Sequence, residues 1–154
     1  MPIQIDPNSD KKPLLPEGRY GEQGEAELMG LHIQHPYNEE GFFLPMPVRI
    51  SHPEFGTVFV EFSGKDGKQP NTRLGVNQNS VVKTMVANLG LNADQLSWSD
   101  TPEDPEARVK RYPLLGADPC PLKVIVDVGV MTWKDKDTKE EKSKNFLKAI
   151  YARG

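Results

Sequence analysis

Residues 121–154, PLKVIVDVGVMTWKDKDTKEEKSKNFLKAIYARG, predict a long β-hairpin at the end of the chain. The first part, residues 122–131, is rich in β-branched side chains, which favour strands. A charged run over residues 134–144 follows, and apolar residues return over 146–151. Two apolar runs around a polar run are typical of two antiparallel strands joined by a turn.

The charge of this hairpin differs in sign from that of the rest of the chain. Residues 133–154 hold seven Lys/Arg against four Asp/Glu, which gives +3, so the remainder carries −6 of the total net charge of −3. A local basic feature still attracts phosphates, because exposed charges act over a Debye length of roughly 8 Å at physiological salt. A lysine-rich tip with aromatics at its base makes single-stranded nucleic acid the first functional hypothesis.

Composition limits the fold class. A chain of 154 residues is typical of one domain with a real core, and 14 prolines with 13 glycines favour short strands joined by turns over a helical bundle. No apolar run approaches the roughly 18 residues that a membrane span needs, and residues 1–12 lack the apolar stretch of a secretory signal. The single cysteine excludes an intrachain disulfide and indicates a cytoplasmic location.

Element order predicts a mainly β (α+β) fold. Strands are expected near residues 19–33, 42–50 and 57–62, and a helix is expected over residues 81–89, ended by Gly90. With the final hairpin, this is the order of an OB-like five-stranded barrel with one helix between strands three and four. We expect residues 1–16 to be a flexible leader and residues 17–154 to be one domain with a long connection over 92–121. That connection holds a small basic and aromatic cluster, Lys110-Arg111-Tyr112.

Side-chain alternation in these strands predicts a ligand face. In strand two the core set is Phe42, Leu44, Met46, Val48 and Ile50, which leaves Phe43 and Arg49 outward. Outward aromatics stack bases, and nearby lysines and arginines contact phosphates. The predicted nucleic-acid-binding residues are Phe43, Arg49, Phe59, Lys65, Lys68, Arg73, Lys123, Trp133, Lys134, Lys136 and Lys139.

Structural alternatives exist for these residues. In one alternative, Phe43 and Phe59 are covered by the leader or by the 92–121 connection. In another, they lie in a dimer interface. The side-chain alternation that assigns Phe43 to the outward face also runs across Pro45 and Pro47. A single β-bulge there reverses which side chains face outward. The mixed charges of the hairpin tip are consistent with a solvated turn that protects a sheet edge.

Catalytic and metal signatures are weak. His32, His35, His52 and Cys120 lack the close ligand spacing of a zinc site, and no serine, cysteine or carboxylate stands in a recognisable catalytic motif. We therefore expect a protein that is not an enzyme and that uses no metal and no cofactor.

Three short motifs resemble a family of phage-encoded, single-stranded DNA-binding-like proteins from replication and recombination gene clusters. They are Leu15-Pro16-Glu17-Gly18-Arg19-Tyr20, Asn79-Ser80-Val81-Val82-Lys83 with Leu89-Gly90-Leu91, and the closing hairpin. The likeness spans about residues 14–152. It implies an OB-like fold, a role in DNA replication or recombination in the host cytoplasm, and a recombinase, helicase or polymerase as a candidate partner.

A second function class stays open. A non-enzymatic interaction or structural module, such as a phage assembly component or an inhibitor of a host protein, also suits an acidic body. The sequence leaves the homo-oligomeric state and the choice between DNA and RNA undetermined.

Overall fold

A computed structural model of the chain describes residues 14–35, 41–62, 71–74 and 80–153. The predicted mainly β class with one α-helix is confirmed within this part of the chain. The elements are β1 (Gly18–Tyr20), β2 (Ala26–Leu28), β3 (Ile33–His35), β4 (Phe42–Phe43), β5 (Val48–His52), β6 (Gly56–Val60), β7 (Arg73–Leu74), α1 (Ser80–Asn88), a 3-10 helix (Ala93–Gln95), β8 (Lys110–Tyr112), β9 (Leu122–Lys134) and β10 (Glu141–Ala152).

The main sheet is built around β9. This strand pairs with β10 along one edge and with β1 and then β2 along the other, all antiparallel. β2 continues the sheet to β5, and β5 to β6. The long final hairpin is therefore present as predicted, and its first strand is the centre of the sheet.

A glycine separates β1 from β2. Gly21 has φ +113°, and a Cβ atom added there would lie 2.0 Å from the backbone oxygen of Val124 on β9. Only glycine permits so close an approach of two backbones. The chain bends at this point, so one edge of β9 is shared by two short strands.

The main sheet is curved but is not a closed barrel. β1 pairs only with β9, β6 only with β5 and β10 only with β9, and no ladder joins β6 to β10 among the described residues. They approach each other where Leu147 N donates a hydrogen bond of 3.4 Å to Glu61 O. The core fills the concave side, with Val124, Val126 and Ile150 fully buried.

A second sheet has the order β7–β4–β3–β8. The single strand predicted over residues 42–50 is wrong. These residues contain β4 in the second sheet and β5 in the main sheet. Met46 lies between them with φ +47°, so alternation does not carry through. As a result, Phe43, predicted to face outward, is only 9% exposed, and Phe42, predicted for the core, is 38% exposed. Leu44, Met46, Val48 and Ile50 are buried as predicted.

The α-helix packs on β10 through its predicted apolar face. Val82, Met85 and Val86 are buried there, and Gly90 follows the helix with φ +78°. Leu91 N donates to Val86 O and Gly90 N to Ala87 O, which is a Schellman termination. The predicted end at Gly90 is confirmed. No helix among the described residues has the length and apolarity to cross a membrane.

Ordered contacts occur in the 92–121 connection and at the end of the 1–16 leader, two segments predicted to lack regular structure. Within 92–121, the 3-10 helix and β8 occur, Trp98 bridges Leu114, and Trp98 Nε1 donates to Leu31 O at 2.6 Å. Leu15, near the end of the predicted leader, is fully buried. Most of that leader, residues 1–13, lies outside the described residues.

Candidate nucleic-acid interface

Four side chains form one row across the convex face of the main sheet. Phe59 on β6 is the cross-strand partner of Arg49 on β5, and Arg49 is the partner of Glu27 on β2. Glu27 in turn pairs with Lys123 on β9. Cross-strand partners on one face lie about 5 Å apart at Cβ, so the four side chains are consecutive neighbours. We call Phe59, Arg49, Glu27 and Lys123 the sheet row.

Glu27 occupies the space between the two cations of the sheet row. Its Oε1 lies 2.9 Å from Arg49 Nη2 and 3.3 Å from Lys123 Nζ. Hydrogen bonds first from Lys123 and then from Arg49 lower the pKa of Glu27 below its ordinary value. Lys123 Nζ also donates to Gly24 O at 2.9 Å. The row thus carries one net positive charge and holds its cations in fixed positions.

Phe59 supplies the aromatic surface of the row. It is 59% exposed, as its outward parity predicted, while Val58 and Val60 on either side are buried. An exposed ring beside a guanidinium is the arrangement on which an unpaired base stacks while its phosphate meets the cation.

Arg19 on β1, another outward cation of this face, is also paired with a carboxylate. Arg19 Nε lies 2.8 Å from Asp127 Oδ1, and its guanidinium lies 5.5 Å from the ring centroid of Tyr151. Hydrogen bonding to Asp127 raises the pKa of Arg19. A polyanion that binds the convex face must therefore compete with carboxylates for Arg19, Arg49 and Lys123.

The hairpin arm, residues 131–144, projects beyond β1 and β2, the strands that pair with the other edge of β9. Trp133 is 39% exposed, and Lys144 Nζ lies 5.8 Å from its ring centroid. The arm also carries the predicted lysines of the tip, which are exposed: Lys134, Lys136 and Lys139.

Asp135 organises the tip of the arm. Its Oδ1 accepts hydrogen bonds from the amides of Asp137 at 2.8 Å and Thr138 at 3.1 Å, and its Oδ2 lies 3.0 Å from Lys142 Nζ. Lys142 first and then the two amides lower the pKa of Asp135 to about 2. The tip is therefore a defined turn that presents its lysines outward.

The structure separates the predicted site residues into groups. Trp133 in the arm follows Lys123 in the sheet row by ten positions of β9, a distance of up to about 33 Å along the strand. Arg73 is exposed on β7 of the second sheet, and Phe43 is buried nearby as its cross-strand partner. Lys65 and Lys68 lie outside the described residues.

Sequence reasoning missed a ring cluster on the second sheet. The ring of Phe42 lies 5.4 Å from that of His35 and 5.3 Å from that of Tyr112, measured between centroids. We call these three residues the ring cluster. The Lys110-Arg111-Tyr112 motif was a signal for it, but nothing in the sequence joined that motif to residues 35 and 42.

The histidines and the cysteine have separate partners. His32 Nε2 lies 2.9 Å from Glu103 Oε1, and His52 Nδ1 accepts from the amide of Glu54 at 3.0 Å. Burial first, and then Asp118, raise the pKa of the Cys120 thiol to about 12, so this thiol is not a reactive thiolate near neutral pH. No group of three or more metal-ligating side chains occurs within the described ranges.

Comparison of the chain with protein-family models, with curated proteins and with solved structures finds no match. The family resemblance stays a prediction.

Proposed function

We propose that this chain binds single-stranded DNA without sequence preference and that the sheet row is the centre of its binding face. One observation carries the proposal: Phe59, exposed over 59% of its surface, is the direct cross-strand partner of Arg49. A base stacked on an aromatic side chain contributes roughly 1–3 kcal/mol whatever its sequence, because every base has a π face.

We propose further that the main sheet is an incompletely closed OB-like barrel. The strand order β6–β5–β2–β9–β10 runs from one outer strand to the other, and the Leu147 N to Glu61 O hydrogen bond brings those two strands together. The helix α1 between β6 and β9 fits that order. In OB-folds the second and third strands form the ligand face, and here these are β5 and β6, which carry Arg49 and Phe59.

The hairpin arm supplies electrostatic capture in this proposal. Lys134, Lys136 and Lys139 are exposed around a defined turn, so they meet an approaching polyanion before the sheet row does. The resemblance to phage-encoded proteins adds the biological setting, a role in DNA replication or recombination.

Binding of fluorescently labelled oligo-dT at low salt, measured by anisotropy, tests the proposal. Phe59→Ala should weaken binding by about 5- to 150-fold, the equivalent of one lost stacking contact. The matched control is Leu115→Ala, since Leu115 is an apolar residue 58% exposed outside both sheets. It should bind as the unmodified protein does. Absence of binding by the unmodified protein at micromolar concentration overturns the proposal, and equal loss in both variants removes Phe59 from the site.

Reversing the charge of the hairpin arm gives a second, independent test of the proposed DNA binding. Lys134→Glu, Lys136→Glu and Lys139→Glu together should weaken oligo-dT binding and flatten its salt dependence, because each phosphate contact adds to that slope. Retained binding with an unchanged slope removes the arm from the interface. If no oligo-dT binds at all, the protein-interaction alternative becomes the leading hypothesis.

A further inference from the structure

The second sheet has cations but no acidic side chain on its described strands. The three cations are Arg73, Lys110 and Arg111. Lys110 and Arg111 form no ion pair among the described residues. In the sheet row, by contrast, Arg49 and Lys123 share the carboxylate of Glu27, at 2.9 and 3.3 Å.

The ring cluster and one of these cations share a face. β3 and β8 pair so that His35 lies directly opposite Lys110 and Ile33 opposite Tyr112. Residues 33 and 35 point to the same side of a strand, so His35, Tyr112 and Lys110 project together, and the Phe42 ring contacts both aromatic rings. Phe42 keeps 38% of its surface exposed between them.

We propose that the ring cluster is a second base-binding subsite, in which an unpaired base stacks on Phe42 and an adjacent phosphate contacts Lys110. This inference rests on the proposed single-stranded DNA binding and extends it to the second sheet. Aromatic rings beside a lysine that has no ion pair among the described residues are complementary to a polyanion with exposed bases.

A second copy of this chain fits the same face less well. A two-fold dimer contact places the same patch on both sides, so it would bring together Lys110 of both copies with no carboxylate from either ring cluster. Charge complementarity therefore selects nucleic acid as the occupant of the ring cluster.

The two subsites are close enough for one strand of DNA. Arg49 follows Phe42 by seven positions, and an extended chain of seven residues spans at most about 25 Å. An OB-type domain contacts roughly 4–16 nucleotides, so an oligomer of 16 thymidines is a suitable probe for both subsites.

The test compares Phe42 variants for affinity to 16-mer oligo-dT by anisotropy, with circular dichroism as a check of folding. Phe42→Ala and Phe42→Leu should each weaken binding roughly fivefold or more, whereas Phe42→Trp should retain it, because stacking requires a π face. A purely structural role would instead be rescued by leucine. Val109→Ala, at a residue 42% exposed in the same connection, is the control and should leave affinity unchanged.

Each alternative result overturns the inference in a distinguishable way. Unchanged affinity in Phe42→Ala, with Phe59→Ala still impaired, removes the second subsite and leaves the proposed function standing. Loss of self-association in Phe42→Ala, seen by analytical ultracentrifugation without loss of DNA affinity, identifies a contact between copies instead. No binding by the unmodified protein overturns the subsite and the proposed function together.

Discussion

Asn145 binds Leu15 through both ends of its side-chain amide. Asn145 Oδ1 accepts from Leu15 N at 2.8 Å, and Nδ2 donates to Leu15 O at 2.8 Å and to Gly129 O at 3.3 Å. This pairing imitates one step of a β-ladder and places the fully buried Leu15 side chain in the core. Nearby, Glu17 Oε1 accepts from Val130 N at 3.0 Å, which ties the same segment to β9.

Asn145→Ala should lower the free energy of unfolding by about 1–3 kcal/mol, because each lost hydrogen bond contributes roughly 0.5–1.5 kcal/mol. Urea denaturation monitored by circular dichroism measures the change. Ser143→Ala is the control on the same strand, where an exposed hydroxyl bonds, within the described part of the chain, only to Thr132, and it should shift stability by less than about 0.5 kcal/mol. An Asn145→Ala protein as stable as the Ser143→Ala protein would show that Leu15 needs no such anchor.

Gly21→Ala should destabilise the chain far more than Gly56→Ala. Both glycines have positive φ, +113° and +71°, so an added Cβ strains each backbone by about 1–2 kcal/mol. Only at Gly21 does that Cβ also collide with a backbone oxygen, that of Val124, whereas Gly56 has open space. We expect a loss of about 3 kcal/mol or more, or no folded protein, for Gly21→Ala. Equal thermal midpoints for the two variants would contradict the close contact of β1 and β9.

Glu27→Gln should raise affinity for oligo-dT, since it releases Arg49 and Lys123 from their shared carboxylate. The slope of log affinity against log salt should become more negative by about 0.7 for each additional phosphate neutralised. Glu25→Gln removes the same charge from the same strand region, but among the described residues the Glu25 carboxylate accepts only from the amide of Gln23. An equal gain in both variants would mean that net charge, and not release of these two cations, controls affinity.

The turn at the tip of the hairpin arm should resist acid. The folded-state pKa of Asp135 is about 2, below its ordinary 3.8, so its stabilising contribution is complete above pH 3.8 and is lost as the pH falls through about 2. The backbone amide shifts of Asp137 and Thr138, followed by NMR, should therefore remain at their neutral-pH values at pH 3.8. An ordinary aspartate would be half protonated there, and a midpoint near 3.8 would exclude these hydrogen bonds in solution.

Local patterns predicted much of the fold. The β-branched run of β9, the apolar face of α1 and its termination at Gly90 each depend on neighbouring residues only, and each is confirmed. Phe59 was also placed correctly, because β6 has uninterrupted alternation.

The predictions failed where one strand becomes two. Alternation was carried across Pro45 and Pro47, but the left-handed backbone at Met46 turns the chain from the second sheet into the main sheet and exchanges the faces of Phe42 and Phe43. The sheet row and the ring cluster depend on pairing between strands far apart in sequence. Such pairing is set by the register of the whole sheet, and a one-residue shift would reverse every face.

None of the core residues in the described structure comes from the hairpin arm, residues 131–144. Insertions, deletions and exchanges in this segment therefore have little effect on whether the domain folds. Evolution, or an engineer, can lengthen the arm, change its charge or graft another loop onto it while the rest of the molecule keeps its shape. The arm is thus the place where relatives of this chain should diverge fastest in length.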